Sequence, residues 1–333
     1  MIALEVGPTS SGAGATYMAS FDQIITVCLN PAIDRILEVP DFALGRHQRG
    51  RQVSRRPAGK AVNVSRALDT LGVASVVTGF VGRNELELFE TSIGSDYTQG
   101  QLLAVDGATR ENVTIVDPAA RQETHIRDVG FTVTTSDLNR LKKKLHVMCR
   151  PTSLAIFSGS MPPGVEPSHF VDLLHVCLHA QAKVAVDSSG PALRAAGELP
   201  LWLAKPNVAE LAEMVGHPVE SDEQILAAGR RLSEHIRGVL VSRGEAGGYA
   251  FVDGSAMIGQ VPVDRNRIVN TVGCGDAMLA GFVAAQRKGK NVRESYRFAL
   301  AVATAAALTR EAGQFELQDI QELAQAAAVE PVE

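Results

Sequence analysis

The stretch Asn270-Thr271-Val272-Gly273-Cys274-Gly275-Asp276 runs without a break into the apolar segment Ala277-Met278-Leu279-Ala280-Gly281-Phe282-Val283. Two glycines around one small residue, followed at once by a strong apolar helix, make a tight turn at a helix start. Such a turn lets successive backbone N–H groups point at one spot, and the helix dipole adds positive potential there. Phosphoryl transfer needs an anion site of this kind, because charge builds on the transferred group. Asp276 stands at the helix start beside that site, where a carboxylate can accept the proton of an attacking hydroxyl. A Gly-rich turn with Asp276 as a plain N-cap is the competing reading.

A second segment, Pro57-Ala58-Gly59-Lys60-Ala61-Val62-Asn63-Val64, again leads small residues into a helix, here beginning near Asn63. The geometry suits a backbone wrapped around a polyhydroxy ligand, with Lys60 as its positive contact. A capped loop with a solvated lysine is the alternative.

Around these two segments, short apolar runs alternate with helix-like ones. The strand candidates are Ile24–Leu29, Ala74–Val81, Leu154–Ser158, Lys183–Asp187, Trp202–Lys205 and Gly238–Val241. They are continuous and often β-branched, as strands buried on both faces are. Helix candidates lie between them at Asn63–Leu71, Ser136–Cys149, Pro167–Ala180, Asn207–Val215 and Ser221–Ile236. The alternation predicts an α/β fold, a doubly wound and mainly parallel sheet with helices on both faces. Ligands then sit beyond the carboxyl ends of the strands. Two stretches, about 35–57 and 109–135, show shorter alternating patterns and predict a small β-lid over the site. After Ala277 the chain reads as helices only, at Met278–Lys288, Ser295–Arg310 and Leu317–Ala328.

The 333 residues are 45% hydrophobic and 21% charged, an ordinary globular composition. A net charge of -5 argues against a nucleic-acid or membrane-surface binder, so an anionic substrate must be drawn by local Lys and Arg. No apolar run approaches the roughly 20 residues that span a bilayer. Residues 1–22 read as a disordered extension without a secretory pattern. Gly7 and Gly12 have P-loop spacing, but Ala13 and Gly14 follow where that motif needs Lys and Ser or Thr. Cys28, Cys149, Cys177 and Cys274 are scattered, as reduced thiols of a cytoplasmic protein are. Arg46, Arg49, Arg51, Arg55 and Arg56 read as a solvated lid face, with steering or direct contact of an anionic substrate as the alternative, and Lys142–Lys144 as an exposed helix face. His175 and His179 flank Cys177, which a helix would turn away from them, so no zinc site is expected.

The two glycine segments together resemble the paired signatures of the PfkB branch of the ribokinase family. More of the chain resembles the same branch: Thr26 to Asp34 its opening strand and substrate-binding Asp, and Thr109-Arg110-Glu111-Asn112-Val113 its lid strand. Gly159-Ser160-Met161-Pro162-Pro163-Gly164, Asp187-Ser188-Ser189-Gly190, Lys205 to Glu210 and Val241 to Gly247 match further blocks. The resemblance runs from about Ile24 to Arg310. It implies a ribokinase-like kinase domain over 23–330 that uses ATP and Mg²⁺. It implies Asp276 as base, with the backbone N–H groups of Gly273, Cys274 and Gly275 holding the γ-phosphate. Asp34, Gly59, Lys60, Asn63, Asn112 and Ser160 would bind the sugar, and Arg110 a phosphate already on it. Lys205, Asn207, Ser242, Gly244 and Gly247 would line ATP, and Asn207 with Glu210 would order Mg²⁺ through water. The expected acceptor is fructose 1-phosphate, with tagatose 6-phosphate and fructose 6-phosphate as alternatives. Gly130-Phe131-Thr132-Val133-Thr134 also resembles the lid of that type. A regulator that binds sugar phosphate with a weak active site is the alternative of another class. A homodimer through the lid is the expected assembly, with no nucleic-acid or membrane partner. Three departures stand out: Asn270 for a common Asp, Cys274 for Ala with a thiol open to reaction beside an anion site, and Ala61 for Gly, whose methyl would crowd the substrate.

Overall fold

The first strand, β1 (Gln23–Cys28), has the sequence QIITVC, and its last five residues are buried. Apolar side chains leave both faces because both are covered. The computed structural model describes residues 21–309, 311 and 313–332; the expected extension through residue 20, with its glycine pair, lies outside them. Phe21 is buried and meets Trp202 edge-on at 5.6 Å between ring centroids.

The small sheet takes β2 (Ala32–Glu38), β3 (Arg51–Ala58), β6 (Arg110–Asp117) and β7 (Gln122–Arg127). The large sheet adds β4 (Ser75–Gly82), β5 (Thr98–Val105), β8 (Ser153–Ser158), β9 (Lys183–Asp187), β10 (Leu203–Ala204), β11 (Gly238–Ser242), β12 (Gly248–Val252), β13 (Ser255–Gln260) and β14 (Ala328–Pro331) to β1. Its ten strands run in the order β14-β13-β12-β11-β10-β9-β8-β1-β4-β5. The pairs from β11 to β5 are parallel, and β11 to β14 form an antiparallel margin.

The helices are α1 (Lys60–Thr70), α2 (Leu86–Ile93), α3 (Thr135–Met148), α4 (Pro167–His179), α5 (Gly190–Ala196), α6 (Val208–Val215), α7 (Asp222–Leu232), α8 (Cys274–Arg287), α9 (Val292–Ala307) and α10 (Leu317–Ala326). Strand side chains alternate between two cores, as the period of 2 requires. Ile25, Val27, Phe157 and Val186 pack with Leu141, Phe170, Leu193 and Leu211 on the face of α3 to α6. Ile24, Ile156, Ala185 and Leu240 pack with Leu68, Phe282 and Tyr296 on the face of α1, α8 and α9. A doubly wound sheet results, and the carboxyl ends of its parallel strands share one edge.

The small sheet has the order β3-β2-β6-β7 and lies outside the large one, as a lid does. It is mixed: β2 pairs antiparallel with β3 but parallel with β6. The parallel step follows because the chain leaves β3 for α1, β4, α2 and β5 before returning in β6.

Several expectations are corrected. Helix α1 starts at Lys60, not Asn63, because Gly59 at φ 128 ends the strand and caps the helix. The strand expected at Trp202–Lys205 keeps only two residues, since Pro206 follows and brings no N–H. The chain after Ala277 is not all helix: β14 adds an antiparallel strand beside β13. Helices α2 and α5 went unread, being short, and α5 opens on Gly190-Pro191. Phe131 and Val133 do not lie in the small sheet; they enter the main core, and Thr134 caps α3 with Asp137. Lys142 pairs with Asp172 at 2.7 Å, and Lys144 donates to Gln101 O at 2.6 Å, covering the edge strand β5 rather than lying free.

Gly79 of β4 sits at φ 120, and a Cβ there would lie 1.9 Å from Cys28 O. The loop that follows β1 carries part of the site described next. Gly79→Ala is therefore expected to destabilise the fold by at least about 3 kcal/mol, read as a lower urea midpoint at unchanged m.

Candidate active site

Two helix N-termini meet at the carboxyl edge of the large sheet. Helix α8 begins after Gly273, which takes the left-handed conformation at φ 83. Helix α1 begins after Gly59, where a Cβ would lie 3.2 Å from Cys28 Sγ and 3.3 Å from Pro31 Cα. The first N–H groups of each helix have no intrahelical acceptor, so two positive helix ends face one region. Cys274 N–H reaches only Thr271 O, at 3.5 Å.

Asp276, in the first turn of α8, is 4% exposed. Its Oδ2 accepts from Asn63 Nδ2 of α1 at 2.9 Å. Burial, with the nearby Asp187 carboxylate, pushes its pKa up from 3.8 to about 7, while Asn63, Lys60 and Lys205 pull the other way. Asp276 is not the N-cap, a position that Gly273 holds; it lies within the first turn. Asn63, expected to bind sugar, holds this carboxylate through its side-chain amide.

Asp187, at the end of β9, is fully buried. Its Oδ1 lies 3.1 Å from Lys60 Nζ and 3.4 Å from Lys205 Nζ. Burial would raise its pKa, but the two ammonium groups outweigh that and hold it low. Burial likewise opposes the charge on Lys60, yet Asp187, Asp276 and Glu210 keep it above its usual value. Two carboxylates and two ammoniums thus balance in one cluster, in which Asp187, Asp276 and Lys205 are buried and Lys60 is partly exposed. Lys205 also rests against the glycine turn: a Cβ on Gly275 would come 3.0 Å from its Nζ. The sequence assigns Asp187 no role beyond its matched block; its carboxylate is the hub of the cluster.

The lid supplies a second set. Asn112 Nδ2 donates to Asp34 Oδ1 at 3.0 Å, and Asn112 Oδ1 is buried without a hydrogen-bond partner. Arg110 is half-buried, its Nε and Nη2 donating to Pro31 O and Asn30 O at 3.2 and 3.0 Å. Asn30 Nδ2 in turn donates to Ser160 Oγ at 3.2 Å. The loops after β1 and β8 are joined there to the lid.

On the other side, Ser242 N–H donates to Pro206 O, which brings the end of β11 beside Asn207. Gly244 and Gly247 are both at positive φ, and a Cβ on Gly247 would meet Gly259 O at 2.0 Å. Asn207 and Glu210 form a reciprocal capping box on α6, with bonds of 2.9 and 2.8 Å. Among the described residues no group of three or more His, Cys, Asp or Glu forms a metal cage.

Two expectations about unusual residues fail. Ala61 is fully buried and packs with Cys28, Val77 and Val81, so its methyl faces the core and not the substrate. The Cys274 thiol is pushed up to about 11 by burial and by Asp276, which disfavours the reactive thiolate. The arginine run is largely paired: Arg51 with Glu38, Arg55 with Glu111, and Arg56 with Glu311 of the segment after α9.

The raised pKa of Asp276 has a sign for stability. Its pKa in the fold lies above its unfolded value, so the penalty is absent below about pH 4, grows as pH rises, and is complete above about pH 7. Asp276→Asn keeps the acceptor for Asn63 and cannot ionise. It is expected to melt higher than the parent at pH 8 by a few kcal/mol, with the gap closing towards pH 4; a pH series of thermal melts checks this.

Comparison with known proteins agrees with this geometry. A family model described as pfkB family carbohydrate kinase matches residues 18–319. A 1-phosphofructokinase of Haemophilus influenzae is 33% identical over 88% of this chain and 94% of its own length. A tagatose-6-phosphate kinase of Staphylococcus epidermidis is 28% identical over 78% of this chain and 84% of its own. In fold, phosphofructokinase-2 of Escherichia coli in complex with potassium superposes with a TM-score of 0.86, at 22% identity over 91% of this chain and 98% of that one. With a glycine turn at a helix start, a buried carboxylate beside it and a family match over most of its length, this chain belongs to the pfkB family of carbohydrate kinases, which transfer a phosphate group to a sugar hydroxyl.

Proposed function

We propose that the acceptor already carries a phosphate, and that the reaction is ATP-dependent phosphorylation of fructose 1-phosphate to fructose 1,6-bisphosphate. The observation that carries the chemistry is Asp276: a buried carboxylate with a pKa of about 7, held by Asn63 at a glycine-turned helix start. A general base works best with its pKa near the operating pH. The acceptor hydroxyl gives its proton to Asp276 Oδ as its oxygen bonds to the γ-phosphorus, and the bond from that phosphorus to the ADP oxygen breaks. The N–H groups of Gly273, Cys274 and Gly275 then face the charge of the transferred group, flanked by Lys60 and Lys205. Removing one such donor costs roughly 2.7–4 kcal/mol in other enzymes.

Carbohydrate kinases of this family take their phosphate from ATP. Lys205, Asn207, Ser242, Gly244 and Gly247 would line the nucleotide at the ends of β10 and β11. Mg²⁺ keeps much of its water shell and binds through one or two carboxylates plus phosphates. The donor set fits that mode: Glu210 with Asn207, already engaged in capping, would hold the ion through water rather than by a protein cage. When bound, the ion would neutralise charge on the phosphates.

The acceptor reading rests on three supports. Arg110 and Lys60 put cations at the sugar end, Asp34 and Asn112 offer hydroxyl partners, and the relative at 33% identity is a 1-phosphofructokinase. The tagatose-6-phosphate kinase at 28% identity keeps that sugar as the second reading. Four free thiols, three of them buried, suit a reducing cytoplasm. A homodimer through the lid would cover the open edges of β3 and β7.

Four outcomes are expected. Across fructose 1-phosphate, fructose 6-phosphate, tagatose 6-phosphate and free fructose, kcat/KM is highest for the first; a preference for free fructose would overturn the reading. Asp276→Asn lowers kcat by orders of magnitude while ATP still binds, and parent kcat/KM for the acceptor falls about tenfold per unit below about pH 7. Arg110→Ala raises KM for the phosphosugar about ten- to a hundredfold and far less for ATP.

A further inference from the structure

One row of side chains crosses the small sheet. Asp34 of β2 pairs with Arg56 of β3 and with Asn112 of β6, and Asn112 pairs with Arg127 of β7. Directly opposed residues share a face, so Arg56, Asp34, Asn112 and Arg127 all project from one side of the sheet. The contact of Arg56 with Glu311 turns that side towards the body of the protein.

Arg110 stands two residues before Asn112 and therefore lies on the same side. The chain beyond Arg127 folds back over it: a Cβ on Gly130 would lie 2.9 Å from Arg110 Cβ, an approach that glycine at φ 81 permits. Burial lowers the pKa of Arg110 first of all, and Arg127 lowers it further, against Cys28, Asp34 and Asp128.

Two like charges drawn together at a lid mouth are unfavourable without an anion between them. The opposite face shows the usual solution, for Arg35 and Arg55 there share the Glu111 carboxylate at 3.7 and 2.8 Å. No hydrogen bond or ion pair joins the Arg127 side chain to another described residue. Beside it, Asn112 Oδ1 is buried without a partner, an acceptor suited to a sugar hydroxyl.

We propose that Arg127 is a specificity-determining residue, closing with Arg110 a two-arginine clamp on the phosphate that the acceptor brings. This rests on the reading that the acceptor is a phosphosugar. Guanidinium groups bind phosphate oxygens through paired N–H donors, and Arg110 keeps donors beyond the two spent on backbone carbonyls. The clamp holds one end of the sugar while Asp34 and Asn112 meet its hydroxyls, leaving a free hydroxyl for Asp276.

The test is the ratio of kcat/KM for fructose 1-phosphate to kcat/KM for free fructose, measured on the full chain for the parent, Arg127→Ala and Arg127→Lys. General damage to the fold lowers both terms and leaves the ratio alone. The ratio is expected to fall about ten- to a hundredfold in Arg127→Ala and to recover most of that loss in Arg127→Lys. Inorganic phosphate should compete with fructose 1-phosphate against the parent, and more weakly against Arg127→Ala. A parent that prefers the phosphosugar and an Arg127→Ala enzyme with the same preference would overturn the clamp alone. A parent without that preference would overturn the phosphosugar reading itself.

Discussion

Everything at the carboxyl edge of the large sheet depends on one buried interaction, the Asp187 carboxylate bridging Lys60 and Lys205. Removing a carboxylate from water costs several kcal/mol unless opposite charge and hydrogen bonds replace the lost solvation. Two ammonium groups supply that replacement, and each is thereby fixed in place. Lys60 belongs to the start of α1 and Lys205 to the end of β10, so the same carboxylate ties together the sugar end and the phosphate end of the site. Asp276 feels Asp187 as a like charge and the lysines as opposite ones. Its proton affinity is set first by its burial and then by the charges of the cluster.

The lid shows the same economy of charge. Its outward side balances Arg35 and Arg55 against Glu111, an exposed arrangement that contributes little stability. Its inward side gathers Asp34, Asn112, Arg110 and Arg127 with fewer partners and an unpartnered amide oxygen. Groups left unsatisfied by their own protein mark where a ligand supplies the missing hydrogen bonds. Arg56 reaches across to Glu311, so the lid is joined to the body through a segment that also packs on Asn63: a Cβ on Gly313 would meet Asn63 O at 3.0 Å. Substrate side and base side therefore share a support.

Some of this was legible before any coordinates. The glycine turn into an apolar helix pointed to an anion site beside Asp276, because local chain geometry alone sets where the first N–H groups of a helix point. Continuous β-branched runs marked the buried parallel strands, and Lys183–Asp187 matches β9 at both ends. The alternating stretches outside that rhythm pointed to the strands of the small sheet. The readings that failed turned on which way a side chain faces. Ala61 was placed against substrate, but one residue along a helix is a rotation of about 100°, and that rotation puts its methyl in the core.

The sequence by itself determined the local geometry of this protein: two glycine-led helix starts, the strands between two apolar layers, and the residue types able to move a proton and hold a phosphate. Those features depend on neighbours a few positions apart. Only the tertiary structure decided that Asn63 holds Asp276 across 213 positions, that Asp187 joins two lysines, and that Arg127 falls in one row with Asn112 and Asp34 of the small sheet. Each of those depends on strand order and register, which bring distant residues within hydrogen-bond range and which no local pattern specifies.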